Sequence, residues 1–258
     1  MPEPRASAGR EAAVLYDLID DGKIAIVALN RPERLNAYNV AMRDALYEAL
    51  LAVRDTPGVR AVVLRGKGKA FCSGGDVAEF GSAPSPVRAR EVRWLRDVWG
   101  TLRRLRAITI AAVHGYAVGG GFEMAMLCDQ CIAAVDTRFA LPETGLGMIP
   151  GVGGTQTLAR LIGSGRALRM VLGGADLDAH AAQRLGLVSR VVAPARLLPT
   201  ALDVARRVAG VAPALAAHLK RSVWDGLDRP LAAGLALERR AVVLAARASA
   251  TSATRSAL

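Results

Sequence analysis

Short apolar runs and turn residues alternate along the first part of the chain, and helical spacing takes over beyond Gly154. Residues 24–30 (Ile-Ala-Ile-Val-Ala-Leu-Asn) follow Asp21-Gly22, a pair that reads as a hairpin turn into a buried strand ended by Arg31-Pro32. Asn39 is placed to cap a helix whose apolar positions Met42, Leu46, Ala49, Leu50 and Val53 keep helical spacing. Pro57-Gly58 turns the chain into a second strand at 61–64; a third is predicted at 108–113 and a fourth at 132–135, with a helix over 122–128 between them. Helices are predicted at 155–161, 166–172 and 178–185, the last stopped by Gly186, and longer ones after Pro199, Pro213 and Pro230. This order predicts an α/β core over residues 13–195 and a helical region over 196–258, with the polar residues 1–12 as a disordered tail.

Between the second and third strands, residues 81–87 are rich in Ser and Pro and read as a surface segment. Arginines at 88, 90, 93, 96, 103, 104 and 106 then interleave with Trp94, Leu95, Val98 and Leu102, which reads as an amphipathic surface helix with a solvated basic face. The net charge of +11 comes almost wholly from arginine, since lysine stands only at 23, 67, 69 and 220. Such a balance fits a polyanionic ligand, whether nucleic acid or a nucleotide-bearing cofactor, and selects neither. No aromatic-interleaved basic motif, helix-turn-helix or zinc pattern accompanies it. A G-x-G-x-x-G at a first strand end and a Walker lysine motif are also missing, which argues against dinucleotide and ATP binding.

No stretch is apolar enough for a membrane span, and the N-terminus lacks the apolar core of a signal peptide. Three cysteines form no disulfide framework, so a reducing, cytoplasmic setting is expected. Cys128-x-x-Cys131 has no second ligand pair and reads as packing, with no metal site expected.

The chemistry is foreshadowed by glycine-rich turns. Ser73-Gly74-Gly75 and Gly119-Gly120-Gly121 both follow apolar segments, and glycine there lets backbone N–H groups approach a ligand. Where such a turn opens a helix, the dipole and free N–H groups favour negative charge; taken singly, each turn reads equally as ordinary turn chemistry. Glu123 lies just inside the helix opened by the triple glycine, either as a dipole-complementing residue or as a chemical group. Glu143, in Leu141-Pro142-Glu143-Thr144-Gly145, is a loop acid among apolar neighbours, open to either a raised pKa or plain exposure.

In combination the segments resemble a known family. Residues 112–129 (Ala-Val-His-Gly-Tyr-Ala-Val-Gly-Gly-Gly-Phe-Glu-Met-Ala-Met-Leu-Cys-Asp) are similar to the signature of the enoyl-CoA hydratase/isomerase (crotonase) superfamily. Residues 30–37 (Asn-Arg-Pro-Glu-Arg-Leu-Asn-Ala), 70–77 (Ala-Phe-Cys-Ser-Gly-Gly-Asp-Val) and 139–156 match further motifs in order, and the resemblance runs from about 14 to 240. It implies a spiral of ββα units with a C-terminal helical region that builds a trimer, often a hexamer of two trimers. It implies an oxyanion hole from the Gly75 and Gly120 N–H groups, and catalytic carboxyls at Glu123 and Glu143. Glutamates at both positions mark hydratases, which add or remove water across the C2=C3 bond of a 2-enoyl-CoA. Other enzymes of the fold, an isomerase, a hydrolase or a ring-forming enzyme on another acyl-CoA, are the alternative, and a nucleic-acid-binding homologue is a more distant one.

The resemblance also implies substrate contacts at Arg34, Ala37, Ala70, Asp76, Val77, Tyr116 and Pro142, with Arg34 a candidate for the coenzyme A phosphates. Coenzyme A would arrive as part of the substrate, with no tightly bound cofactor. Asp76 and Asp129 match positions that look structural, and His114 matches one where the family tolerates varied residues. Two departures stand out. Gln130 replaces a usually apolar residue, and residues 248–258 lack the acidic, aromatic and basic tail that helps many members close the acyl pocket or contact adenine. The acyl pocket is expected to be shaped by residues 77–100.

Overall fold

The computed structural model describes residues 12–256, apart from 86, 89, 90 and 92–94. The expected disordered tail therefore falls, but for Ala12, outside the described residues, as do Arg90, Arg93 and Trp94 of the arginine run.

A six-stranded sheet runs in the order β1-β2-β3-β4-β6-β9, beside a three-stranded sheet ordered β5-β7-β8. The large sheet comprises β1 (Val14–Ile19), β2 (Ile24–Leu29), β3 (Ala61–Gly66), β4 (Ile108–Val113), β6 (Gln130–Ala134) and β9 (Arg190–Val192). The small one comprises β5 (Tyr116–Val118), β7 (Arg138–Ala140) and β8 (Leu177–Asp178). The β1–β2 hairpin is antiparallel, and every later neighbour in the large sheet pairs parallel. Successive strands alternate between the sheets: β4 then β5, and β6 then β7, each pair followed by helix. That alternation is the ββα spiral, and Cys72, bridged to Ala117 of β5, gives the preceding turn of the chain the same path.

The central strands read as continuous apolar runs because both sheet faces are covered. Val62, Leu64, Ala111 and Val113 face one core, shared with α1 (Val40–Asp55), α2 (Val98–Arg104), α3 (Gly120–Leu127), α4 (Gly154–Ile162), α5 (Ser164–Gly173) and α6 (Ala179–Arg184). Their alternating neighbours Ala61, Val63, Ile110 and Ala112 face a second core against α7 (Leu197–Ala209). Asn39 caps α1 through its side chain, which accepts from the Met42 N–H, and the buried residues of α1 are the five picked out by spacing.

The helical region foreseen from residue 196 thus opens with a helix that is part of the second core. Only after it do α8 (Pro213–Leu227) and α9 (Leu231–Ser256) form a long antiparallel pair. Lys220 alone is buried within α8. Its Nζ reaches Asp129 Oδ2 at 2.8 Å and the Ala107 carbonyl at 3.1 Å. Trp224 Nε1 donates to the other Asp129 oxygen at 2.7 Å. Asp129 also accepts from the Thr109 N–H and hydroxyl, so one carboxylate joins β4, the end of α3 and α8. This is the structural role expected of Asp129.

The arginine run is helical on both sides of a short break. Among the described residues Val87, Arg88 and Glu91 are helical, and after a break at 95–97 a second helix covers Val98–Arg104, started by Asp97, whose side chain accepts from the Gly100 N–H. Leu95 stands exposed. Several of the arginines are paired: Arg96 with Asp44 and Glu48, Arg103 with Asp228, Arg104 with Asp97 and Arg88 with Glu91. These acids offset part of the local basic charge, so the run is less cationic than its arginines alone suggest.

Candidate active site

The two glycine turns meet. Gly74 and Gly119 approach so closely that a Cβ on Gly74 would stand 3.0 Å from the Val118 carbonyl oxygen and 3.8 Å from the Gly119 Cα. Gly121 lies directly against the Cys72 backbone, where no side chain could fit. Each turn hangs between ladders. Tyr38 bridges Gly75, with the Tyr38 N–H donating to the Gly74 carbonyl and the Asp76 N–H donating to the Tyr38 carbonyl. The Cys72 N–H donates to Tyr116, the Val118 N–H returns to Cys72, and the Gly119 N–H donates to Ala140. The Gly75 and Gly120 N–H groups have no hydrogen-bond partner among the described residues. The space where a Gly120 Cβ would project is open, whereas the Phe80 ring stands over Gly75.

Gly119, with φ 51° and ψ −125°, starts α3 in a conformation that a Cβ would strain. A Cβ there would also lie 2.9 Å from Glu143 Oε1, so the Glu143 carboxyl packs on bare backbone. Glu143 opens the 3-10 turn Glu143–Leu146, a single turn too short for a sequence period to register. It is half-buried; its Oε2 is buried with no hydrogen-bond partner among the described residues. Burial is the main cause that holds its pKa above the ordinary carboxylate value, outweighing its own backbone hydrogen bond, which pulls the other way.

Glu123 sits one turn into α3 and is buried. Its Oε1 accepts from the Val152 N–H at 2.9 Å and the Gly154 N–H at 2.7 Å, at the start of α4. Glycine at 154 is needed there, because a Cβ would lie 2.9 Å from that same oxygen. Both carboxyls thus flank the helix start that carries the Gly120 N–H.

The other expected contacts fall into two groups. Arg34, Val77, Tyr116 and Pro142 are exposed and Ala37 is half-buried. Ala70 is fully buried and its carbonyl accepts from Asn36 Nδ2. The Asp76 carboxylate is committed to the scaffold: it pairs with Arg31 at 3.0 Å and accepts from the Ala78 N–H, and these partners, Arg31 first, hold its pKa below the usual range. His114 Nε2 lies 2.9 Å from the Gly68 carbonyl, consistent with a turn-packing role.

Sequence reasoning passed over three residues here. Buried Asn36 bonds the Lys67 and Ala70 carbonyls and so brings the Arg34 turn against the 67–70 loop. Lys67 and Lys69 are exposed there with Arg34, and none of the three has an ion pair to a described residue. The Gly-Lys-Gly-Lys spacing, holding half of the four lysines, was the available signal. Cys72, Cys128 and Cys131 are free and buried, and burial pushes the Cys131 thiol up to about 12. Among the described residues no group of three or more His, Cys, Asp or Glu could hold a metal ion.

The family model described as enoyl-CoA hydratase/isomerase matches residues 20–252. A probable enoyl-CoA hydratase of Rhizobium meliloti is 42% identical over 219 residues, covering 85% of this chain and 84% of that protein. The short-chain-enoyl-CoA hydratase of Clostridium acetobutylicum is 37% identical over 223 residues, covering 86% and 85%. Among solved structures, the enoyl-CoA hydratase of Bacillus anthracis superposes with a TM-score of 0.85 at 32% identity, over 90% of each chain. With two glycine turns, two flanking carboxyls and relatives at this identity along most of its length, the chain belongs to the enoyl-CoA hydratase/isomerase family.

Proposed function

We propose that the protein hydrates 2-enoyl-CoA thioesters, and the observation that carries this reading is the pair of carboxyls flanking the Gly120 turn. The thioester oxygen accepts from the Gly75 and Gly120 N–H groups, which donate to nothing else among the described residues. Backbone donors fixed in advance stabilise the enolate without reorganising during the reaction. Glu123, as carboxylate, takes a proton from water while the oxygen bonds to C3. Glu143, as acid, delivers a proton to C2, and the two transfers together add one water across the double bond. The buried Glu143 Oε2, without a partner among the described residues, calls for a polar one, and the water that is added supplies it. No group beyond these carboxyls and amides is needed, so coenzyme A enters only as the substrate's carrier. Arg34, Lys67 and Lys69 suit its phosphates by charge.

The assay is loss of thioester conjugation absorbance with crotonyl-CoA and longer enoyl-CoAs. Turnover of at least one member supports the reading. Retention on RNA, reversed by salt, with no turnover of any acyl-CoA would favour the nucleic-acid alternative instead.

Assembly into trimers or pairs of trimers is part of the same proposal. Leu215, Leu219, Val223 and Leu227 form an exposed stripe along α8 beside exposed Leu231 and Leu235 of α9, an apolar groove that suits other copies of the chain. Sedimentation is expected to give three or six times the chain mass of 27.0 kDa, and Leu219→Glu with Val223→Glu is expected to lower it. A wild-type monomer would end this idea. No described helix is long and apolar enough to cross a membrane, and three unpaired buried cysteines suit a reducing cytoplasm.

A further inference from the structure

Glu143 stands on a turn that buries none of its own residues and has no side chain capping its start. Few buried contacts mean little intrinsic rigidity. Bonds within the turn, from the Met148 N–H to the Glu143 carbonyl at 2.9 Å and from Gly147 to Thr144 at 3.0 Å, shape it without locating it. One residue past the acid, Thr144 Oγ1 donates to the Val171 carbonyl at 2.5 Å, a bond between residues 27 positions apart.

Val171 lies in the last turn of α5, where helix carbonyls run out of intrahelical donors. The Gly174 N–H goes to the Met170 carbonyl, and the Thr144 hydroxyl serves Val171. α5 packs against α4, whose first residue, Gly154, donates to Glu123. One continuous path of packed elements therefore runs from the Glu123 carboxyl through α4 and α5 to the turn that carries Glu143.

We propose that Thr144 is a positioning residue, clamping the Glu143 turn to the end of α5 so that the carboxyl stays seated against Gly119. The inference rests on the reading of Glu143 as the proton donor. Misplacement by about 1 Å can cost on the order of 10²-fold in rate.

The test compares Thr144→Val, which keeps the shape and removes the hydroxyl, with Thr144→Ser, which keeps the hydroxyl. In Thr144→Val, kcat with crotonyl-CoA is expected to fall about tenfold or more while KM stays within about twofold, the split expected when only the transition state loses an interaction. Amide exchange over residues 143–149 is expected to accelerate without acceleration in β2, β3 and β4. Thr144→Ser is expected to restore both. Wild-type exchange in Thr144→Val, or equal losses in the two variants, would overturn the clamp. If the wild type hydrates no enoyl-CoA, the proposed function fails, and the exchange comparison still decides whether Thr144 holds the turn.

Discussion

Glu143→Gln is expected to lower kcat for crotonyl-CoA hydration by about 10²–10⁴-fold, the usual contribution of one positioned acid or base. At about 1.4 kcal/mol per decade this is about 3–5 kcal/mol of transition-state stabilisation. Glutamine has the same shape and cannot deliver the proton, so KM and the unfolding midpoint should change little. The pH profile carries a second, independent sign. Burial raises the Glu143 pKa, and the acid must be protonated to act; kcat therefore falls as pH rises through that pKa, above the ordinary carboxylate range. In Glu143→Gln that alkaline limb should vanish along with most of the rate. Full hydration activity in the variant would remove Glu143 from the mechanism. Glu123→Gln should show a loss of the same order, because its Oε1 can still accept from Val152 and Gly154 while its basicity is gone. Glu123→Ala is the poorer probe, since it also strands those two amides at about 1–3 kcal/mol each.

The second large effect lies away from the chemistry. Lys220→Ala is expected to destabilise the fold by about 3–5 kcal/mol, the cost of leaving a buried carboxylate without its counter-charge. The Lys220 and Asp129 side chains are only 5% and 12% exposed, so solvent does little to compensate. The measurement is the denaturant midpoint and slope, against Lys220→Met combined with Asp129→Asn. Removing both charges should cost clearly less than removing one, because no unpaired ion remains buried. A loss below about 1 kcal/mol in Lys220→Ala would mean that water reaches Asp129 and that α8 is held without the Lys220 charge, by packing and the Trp224 bond.

Much of this architecture is legible in the chain. The α1 face follows from five apolar residues at helical spacing behind an Asn that caps, and β2, β3, β4 and β6 from continuous apolar runs. The small sheet escaped because its strands are two or three residues long, too short for any period to register. The start of α7 falls at Leu197, ahead of the Pro199 taken as its boundary, because proline is tolerated within a first helical turn. At 88–106 the helical spacing holds on both sides of a break at 95–97, where Asp97 restarts the chain as the cap of α2. Glu123 and Glu143 were found by motif, each ambiguous alone. What sequence could not supply were partners far along the chain: Val152 and Gly154 for Glu123, Val171 for Thr144, Lys220 for Asp129. Such pairs leave no local trace.

The strand ladders that hold Gly75 and Gly120 have a consequence for how this scaffold can change. Its anion-stabilising half is main chain, and no side-chain substitution deletes an amide hydrogen short of proline. The proton-moving half consists of two side chains on separate elements, each exchangeable without disturbing the ladders. Enolate stabilisation is therefore inherited with the fold, and reaction type is what a few codons can rewrite.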